Sequence, residues 1–202
     1  MKRLLFLFQY IVKPRTVGAI MPSSRFLAEK MTEKIDFHKA EYIVEYGPGT
    51  GVFTKKLLEK RQPGTMILLI EQNEEFYALL KEKYKDEQNL FIVHGSAEHI
   101  GKLLKEYRIP HADYVVSGLP FASLPKRVSD EILTDTAKIL KNEGEFITFQ
   151  YTQFKKTLIE QFFTQIEVRR ELRNIPPAYV FSCSLPKQTK EDVYGDKHSY
   201  RR

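Results

Sequence analysis

Apolar positions recur along the chain in two alternating rhythms. Tyr42–Tyr46, Met66–Glu71, Leu90–Val93, Tyr114–Ser117 and Glu145–Tyr151 are short apolar runs that predict strands, and Met66–Glu71 predicts a buried one. Between them, Val52–Lys60, Glu74–Tyr84, Ala97–Tyr107, Lys126–Leu140 and Lys155–Phe163 carry helical spacing. Asn73 stands as cap of the second of these. An earlier helix is expected from a cap at Ser23 or Ser24 to about Ile35, with Phe26, Leu27 and Met31 inward. Two late strands, Glu167–Leu172 and Tyr179–Ser184, are joined by "RNIPPA". The regular alternation of strand and helix predicts an α/β domain with a mainly parallel sheet covered by helices on both faces.

The two ends break this rhythm. Leu7, Ile11, Leu4, Phe8, Val12 and Leu5 share one face of a helical wheel, and Lys2, Gln9, Lys13, Tyr10 and Arg3 share the other, with Phe6 as the exception. Such a basic amphipathic helix, ended by Pro14, suits a membrane interface, and it equally suits packing on the domain or on a second copy. Its apolar stretch falls short of the roughly 20 residues that span a bilayer. Lys13 and Arg15 stand where a signal-cleavage site would need small residues. The tail from 187 to 202 is polar and aperiodic. The expected division is 1–35 for the amphipathic and lid helices, 36–186 for the α/β domain and 187–202 for a flexible basic tail.

Composition narrows the class. The 202 residues, 42% hydrophobic and 29% charged, can bury one core without staples. A single cysteine, Cys183, excludes an internal disulfide and fits a reducing cytoplasm. A net charge of +6 favours an anionic partner, nucleic acid or phospholipid surface, without choosing between them.

The candidate chemistry sits where the first core strand ends. "EYGPGTG" places Gly47, Gly49 and Gly51 in alternate positions just before a helix. Ligands of an open parallel sheet bind beyond the carboxyl ends of its strands, where glycine permits a sharp turn and close backbone approach. The spacing is neither that of a dinucleotide fingerprint nor that of a P-loop. Glu45 at the strand end would repel a pyrophosphate and suits a cation. Glu71 ends the second strand, where a carboxylate takes ribose hydroxyls. S-adenosylmethionine, with its ribose, amine and sulfonium, meets these demands; a plain structural turn is the alternative.

At these residues the chain resembles the class I S-adenosylmethionine-dependent methyltransferases, whose first motif is E/D-x-G-x-G-x-G. The resemblance implies a doubly wound Rossmann-like fold with seven strands, the last antiparallel. It also implies that Glu45 and the glycine turn hold the methionine part and Glu71 the ribose. Tyr46, Gln72, Ser96, Ala97 and Ser117 complete the implied cofactor set. Gly95-Ser96-Ala97 stands where the family often has G-D-A beside the adenine, and Ser96 is equally suited to capping the next helix. His94 and His99 lack partners at metal-ligand spacing, so no metal is expected.

"SGLPFASLP" closes the fourth strand, where enzymes of this class that methylate nitrogen place a Pro-aromatic loop. The implied roles are backbone carbonyls from Gly118 and Leu119 gripping an N–H, rigidity from Pro120 and a packing ring from Phe121. Ribosomal RNA adenine dimethyltransferases carry N-[LI]-P-[YF] here, so Gly118 fills their asparagine slot. Bacterial phospholipid N-methyltransferases resemble more of the chain. They share Pro14 to Ser24 ("PRTVGAIMPSS"), Tyr46 to Gly51, Ser117 to Pro120 and Asn174 to Ala178. That resemblance implies methyl transfer to the amine of phosphatidylethanolamine at the inner membrane face, reached by the N-terminal helix. Adenine in RNA and a non-catalytic cofactor-binding module are the alternatives. Arg169, Arg170 and Arg173 are candidates for a lipid phosphate or for edge charges of a strand.

Overall fold

Runs that are apolar on both faces need cover on both sides, and the fold supplies it. The computed structural model describes residues 20–152 and 156–185, with the side chains of 20–24 outside that description. The expected N-terminal helix, the first half of the motif from Pro14 and the tail from 187 lie outside the described residues.

The elements are α1 (Ile20–Thr32), β1 (Tyr42–Tyr46), α2 (Val52–Lys60), β2 (Met66–Glu71), α3 (Glu74–Lys83), β3 (Leu90–His94), α4 (Ile100–Glu106), β4 (Ala112–Ser117), α5 (Lys126–Ile139), β5 (Leu140–Gln150), α6 (Lys156–Ile159), β6 (Gln165–Glu171) and β7 (Ala178–Ser184). A 3-10 turn, Ala97–His99, precedes α4. The seven strands form one sheet in the order β3-β2-β1-β4-β5-β7-β6. Only β7 runs against the others, paired antiparallel with β5 and with β6. This is the doubly wound, Rossmann-like arrangement expected.

One apolar layer joins Val44, Leu68 and Val115 to Ile100, Leu104, Ile132 and Leu133 of α4 and α5. The opposite layer joins Ile43, Ile67, Leu69 and Val116 to Leu27 and Met31 of α1 and Leu57 of α2. α1 is also tied by charge. Glu29 pairs with Lys56 and Lys60 at 2.7 and 2.8 Å, and Glu33 with Arg169 at 2.9 Å.

Several boundaries differ from the sequence reading: β3 runs on to His94, β4, β6 and β7 begin at Ala112, Gln165 and Ala178, and α6 stops at Ile159, short of the expected Phe163. The helix α1 begins at Ile20, ahead of both serines, so neither caps it, and it ends at Thr32, whose hydroxyl donates back to Ala28 O at 3.0 Å. Pro22 falls in its first turn, where a missing N–H costs nothing. Strand β5 begins at Leu140, five residues early, because the register with β4 shifts between Ala112 and Tyr114 and interrupts the alternation.

The registers set every loop of interest on one edge. Tyr46 pairs with Ile70 and Ser117, Glu71 with His94, Gln150 with Tyr179, and Glu171 with Ala178. The glycine turn, the 117–121 loop and the 172–177 loop therefore share the carboxyl edge.

Candidate active site

The order of the sheet reverses between β1 and β4, so their carboxyl ends open a crevice. The turn leaving β1 has φ of +61° at Gly47, +57° at Gly49 and +79° at Gly51. Side chains rarely adopt such angles, which answers why glycines cluster there. Neighbours close two of the three. A Cβ on Gly47 would sit 3.0 Å from Leu119, and one on Gly51 would press on Leu80 and Tyr84. A Cβ on Gly49 would meet nothing within 4 Å, so this residue faces open space.

The turn is pinned by groups distant in sequence. Glu71, 2% exposed, accepts from Gly49 N at 2.9 Å and from Asn73 N at 2.8 Å. Tyr84 donates its hydroxyl to Gly51 O at 3.1 Å, and Lys83 Nζ donates to Thr50 O at 3.0 Å. Neither Lys83 nor Tyr84 stands out in the sequence, since each lies 33 residues from its partner.

Glu45 is fully buried. Its Oε2 accepts from Thr54 Oγ1 at 2.7 Å, while its Oε1 has no hydrogen-bond partner among the described residues. Burial, followed by the nearby Glu71 charge, raises its pKa from 4.5 to about 8, against the pull of Thr54 and Lys83. The unfolded chain sheds this proton near pH 4.5, and the folded chain holds it to about 8. Its contribution to stability is therefore complete below 4.5 and lost as pH rises through that window. Urea titrations should show that Glu45→Gln loses less stability than the parent between about pH 5 and about pH 8. Parallel slopes would show that Glu45 ionises normally.

The other predicted cofactor residues divide. Gln72 is exposed, with its carbonyl accepting from His94 Nε2 at 3.1 Å. The Tyr46 ring turns into the core, its hydroxyl 3.2 Å from Thr136 Oγ1, so only its backbone lies at the turn. Ser96 caps: its Oγ accepts from Glu98 N at 3.3 Å and donates to Glu98 Oε2 at 2.8 Å. Ala97 is buried behind it. Ser117 is buried, with its Oγ accepting from Leu119 N at 3.2 Å.

The 118–121 loop differs from its reading in two respects. Leu119 O already accepts from Phe121 N at 3.0 Å and from Gln150 Nε2 at 3.4 Å, and Pro120 O accepts from Ser123 N at 2.8 Å and Leu124 N at 3.2 Å. Gly118 O accepts no hydrogen bond among the described residues. Phe121 is 0% exposed, edge-on to Phe146 with centroids 6.0 Å apart, so its ring anchors the loop in the core and does not face the crevice. Gly118 itself is tightly placed: its N–H donates to Tyr46 O at 2.8 Å, and a Cβ there would lie 2.7 Å from Gly47 O. Gln150, 3% exposed at the end of β5, is a loop-holding residue that spacing alone does not reveal.

Of the three arginines, Arg169 is bound to Glu33 and Ser182, and Arg173 to Glu171. Arg170 is exposed, 5.6 Å over the Tyr179 ring. A shallow depression of about 580 Å³ between His38–Tyr42 and Gln62–Met66 lies at the amino edge of β1 and β2, opposite this crevice. Among the described residues, no cluster of His, Cys, Asp or Glu could hold a metal. No helix there is long and apolar enough to cross a membrane.

The family model for ribosomal RNA adenine dimethylase matches residues 23–158. Over 190 residues the chain is 28% identical to the ornithine lipid N-methyltransferase of Singulisphaera acidiphila, covering 92% of this chain and 97% of that protein. It is 31% identical over 77 residues to ribosomal RNA small subunit methyltransferase A of Hydrogenobaculum sp. (strain Y04AAS1), covering 38% of this chain and 30% of that protein. Among solved structures, Aeropyrum pernix fibrillarin in complex with natively bound S-adenosyl-L-methionine matches with a TM-score of 0.58 at 12% identity, covering 79% of this chain and 76% of that one.

Proposed function

Since the chain belongs to the ribosomal RNA adenine dimethylase family and is an S-adenosylmethionine-dependent methyltransferase, we propose that it methylates the amine of a membrane lipid. Phosphatidylethanolamine and ornithine lipid are the acceptors to be compared. The observation that carries this reading is the packing at Gly118. In the resembling RNA enzymes that position holds an asparagine, and here a Cβ would stand 2.7 Å from Gly47 O. A side-chain acceptor for a base amine has no room without moving the turn. The near full-length likeness to a lipid N-methyltransferase supports the same reading.

The residues present fit the cofactor. The unpartnered buried oxygen of Glu45 is a site for a cation, and Gly49 leaves backbone open to a ligand. Glu45 and the 47–51 turn would hold the methionine part and Glu71 the ribose. When bound, S-adenosylmethionine supplies a methyl group on a positively charged sulfur. A cation beside Glu45 draws its carboxyl back to the ionised form. Once the acceptor amine has given its ammonium proton to solvent, the Gly118 carbonyl would accept a remaining N–H and aim the lone pair, so the catalytic gain comes from alignment. Ser117, Gln150 and Phe121 keep that loop fixed. No covalent bond to the protein is needed.

The test is incubation with methyl-labelled cofactor and separate pools of amine lipids, ribosomal RNA and small amines. Label is expected in lipid amine. Label in adenine would overturn the reading in favour of RNA, and binding without transfer to any pool would mark a non-catalytic module.

A further inference from the structure

Residues 172–177, between β6 and β7, present apolar side chains outward at the rim of the crevice. Leu172 is 63% and Ile175 69% exposed, and with Leu79 they are the large apolar side chains exposed among the described residues. Pro176 and Pro177 are exposed beside them. Single exposed leucines are ordinary on any surface. This pair differs because its loop is braced from beneath. Glu171, 3% exposed, accepts from the Arg173 backbone N–H at 2.9 Å and from its guanidinium at 2.9 and 2.8 Å. The same guanidinium lies 4.3 Å over the Phe26 ring of α1. Buried Asn174 donates from Nδ2 to Pro176 O at 2.7 Å. A fixed scaffold therefore holds two aliphatic side chains in water, with the exposed Arg170 two positions before Leu172 in the chain.

We propose that this loop docks on the surface of an anionic lipid bilayer, with Leu172 and Ile175 entering the headgroup boundary and Arg170 against lipid phosphate. An apolar tip beside a cation is the pairing that such a boundary binds, and the net charge of +6 draws the whole chain to it. The position has a use, on which the lipid reading above bears. The neighbouring pair Tyr179 and Gln150 leads directly to Leu119 O, so docking here presents the 118–121 loop to headgroups. The inference rests on that reading for its purpose, and its test is separate.

The chain contains no tryptophan, so Ile175→Trp provides a single reporter. With vesicles of phosphatidylglycerol and phosphatidylcholine, its emission should shift blue and be quenched by lipids brominated in the acyl chain. In co-sedimentation, the full chain carrying Leu172→Ser with Ile175→Ser should partition onto the vesicles at least about tenfold less than the parent. Both positions are exposed, and unchanged melting confirms the fold. Unmoved tryptophan emission, parental partitioning of the double variant, or a loss of RNA affinity in place of vesicle affinity would overturn the docking. Transfer to amine lipid dispersed in detergent should survive in the double variant. Should the parent label no detergent-dispersed lipid while the tryptophan still enters vesicles, the substrate reading falls and the docking stands.

Discussion

Gly49→Val should weaken S-adenosylmethionine binding by at least about 100-fold in calorimetry while the protein still folds. The two effects separate because of what surrounds the residue. Its φ of +57° is a left-handed angle that a β-branched side chain resists, at roughly 1–2 kcal/mol. For a chain of this size that is a fall in melting temperature on the order of 5 °C. No atom lies within 4 Å of an added Cβ, so the side chain sets out into the open crevice that the cofactor would fill. The Gly49 N–H keeps its bond to Glu71. Parental affinity in this variant would remove the glycine turn from the binding site.

Phe121→Ala should cost about 3–5 kcal/mol in stability, a large fraction of what a domain possesses. Its ring is edge-on to Phe146, which in turn stacks on Phe163 with centroids 5.4 Å apart, so truncation opens a hole inside the aromatic core. Thermal melts should fall by on the order of 10 °C. The rate of methyl transfer should fall more than cofactor affinity, since the 118–120 backbone loses its anchor. A variant that melts like the parent and changes only the acceptor KM would return the ring to the crevice.

Much of this architecture was legible in the chain, for reasons that differ between elements. Strands β1 and β2 match their expected bounds because an apolar run closed by the glycine turn or by Glu71 leaves no ambiguity of period. Asn73 was legible as a cap because its side chain acts three residues away, on Phe76 N at 3.0 Å. The glycine turn was legible because three left-handed angles admit few residues. The direction of Phe121 was not, since a ring after a proline can face either way until β5 and Phe163 are packed. The start of β5 was hidden by Glu143, whose φ of +68° is unusual for a side-chain-bearing residue. The ties from Lys83, Tyr84 and Gln150 depend on loops meeting at one edge, which spacing does not encode.

The place of β7 has a consequence for synthesis. It lies between β5 and β6, both made before it, so the emerging polypeptide holds these two strands with a gap between them. Until Ser184 has left the ribosome, β6 has no partner and the facing groups of β5 stay unpaired, an open edge prone to joining other chains. Translation that stalls before this point would release an aggregating product, and the domain closes only when its innermost late strand arrives.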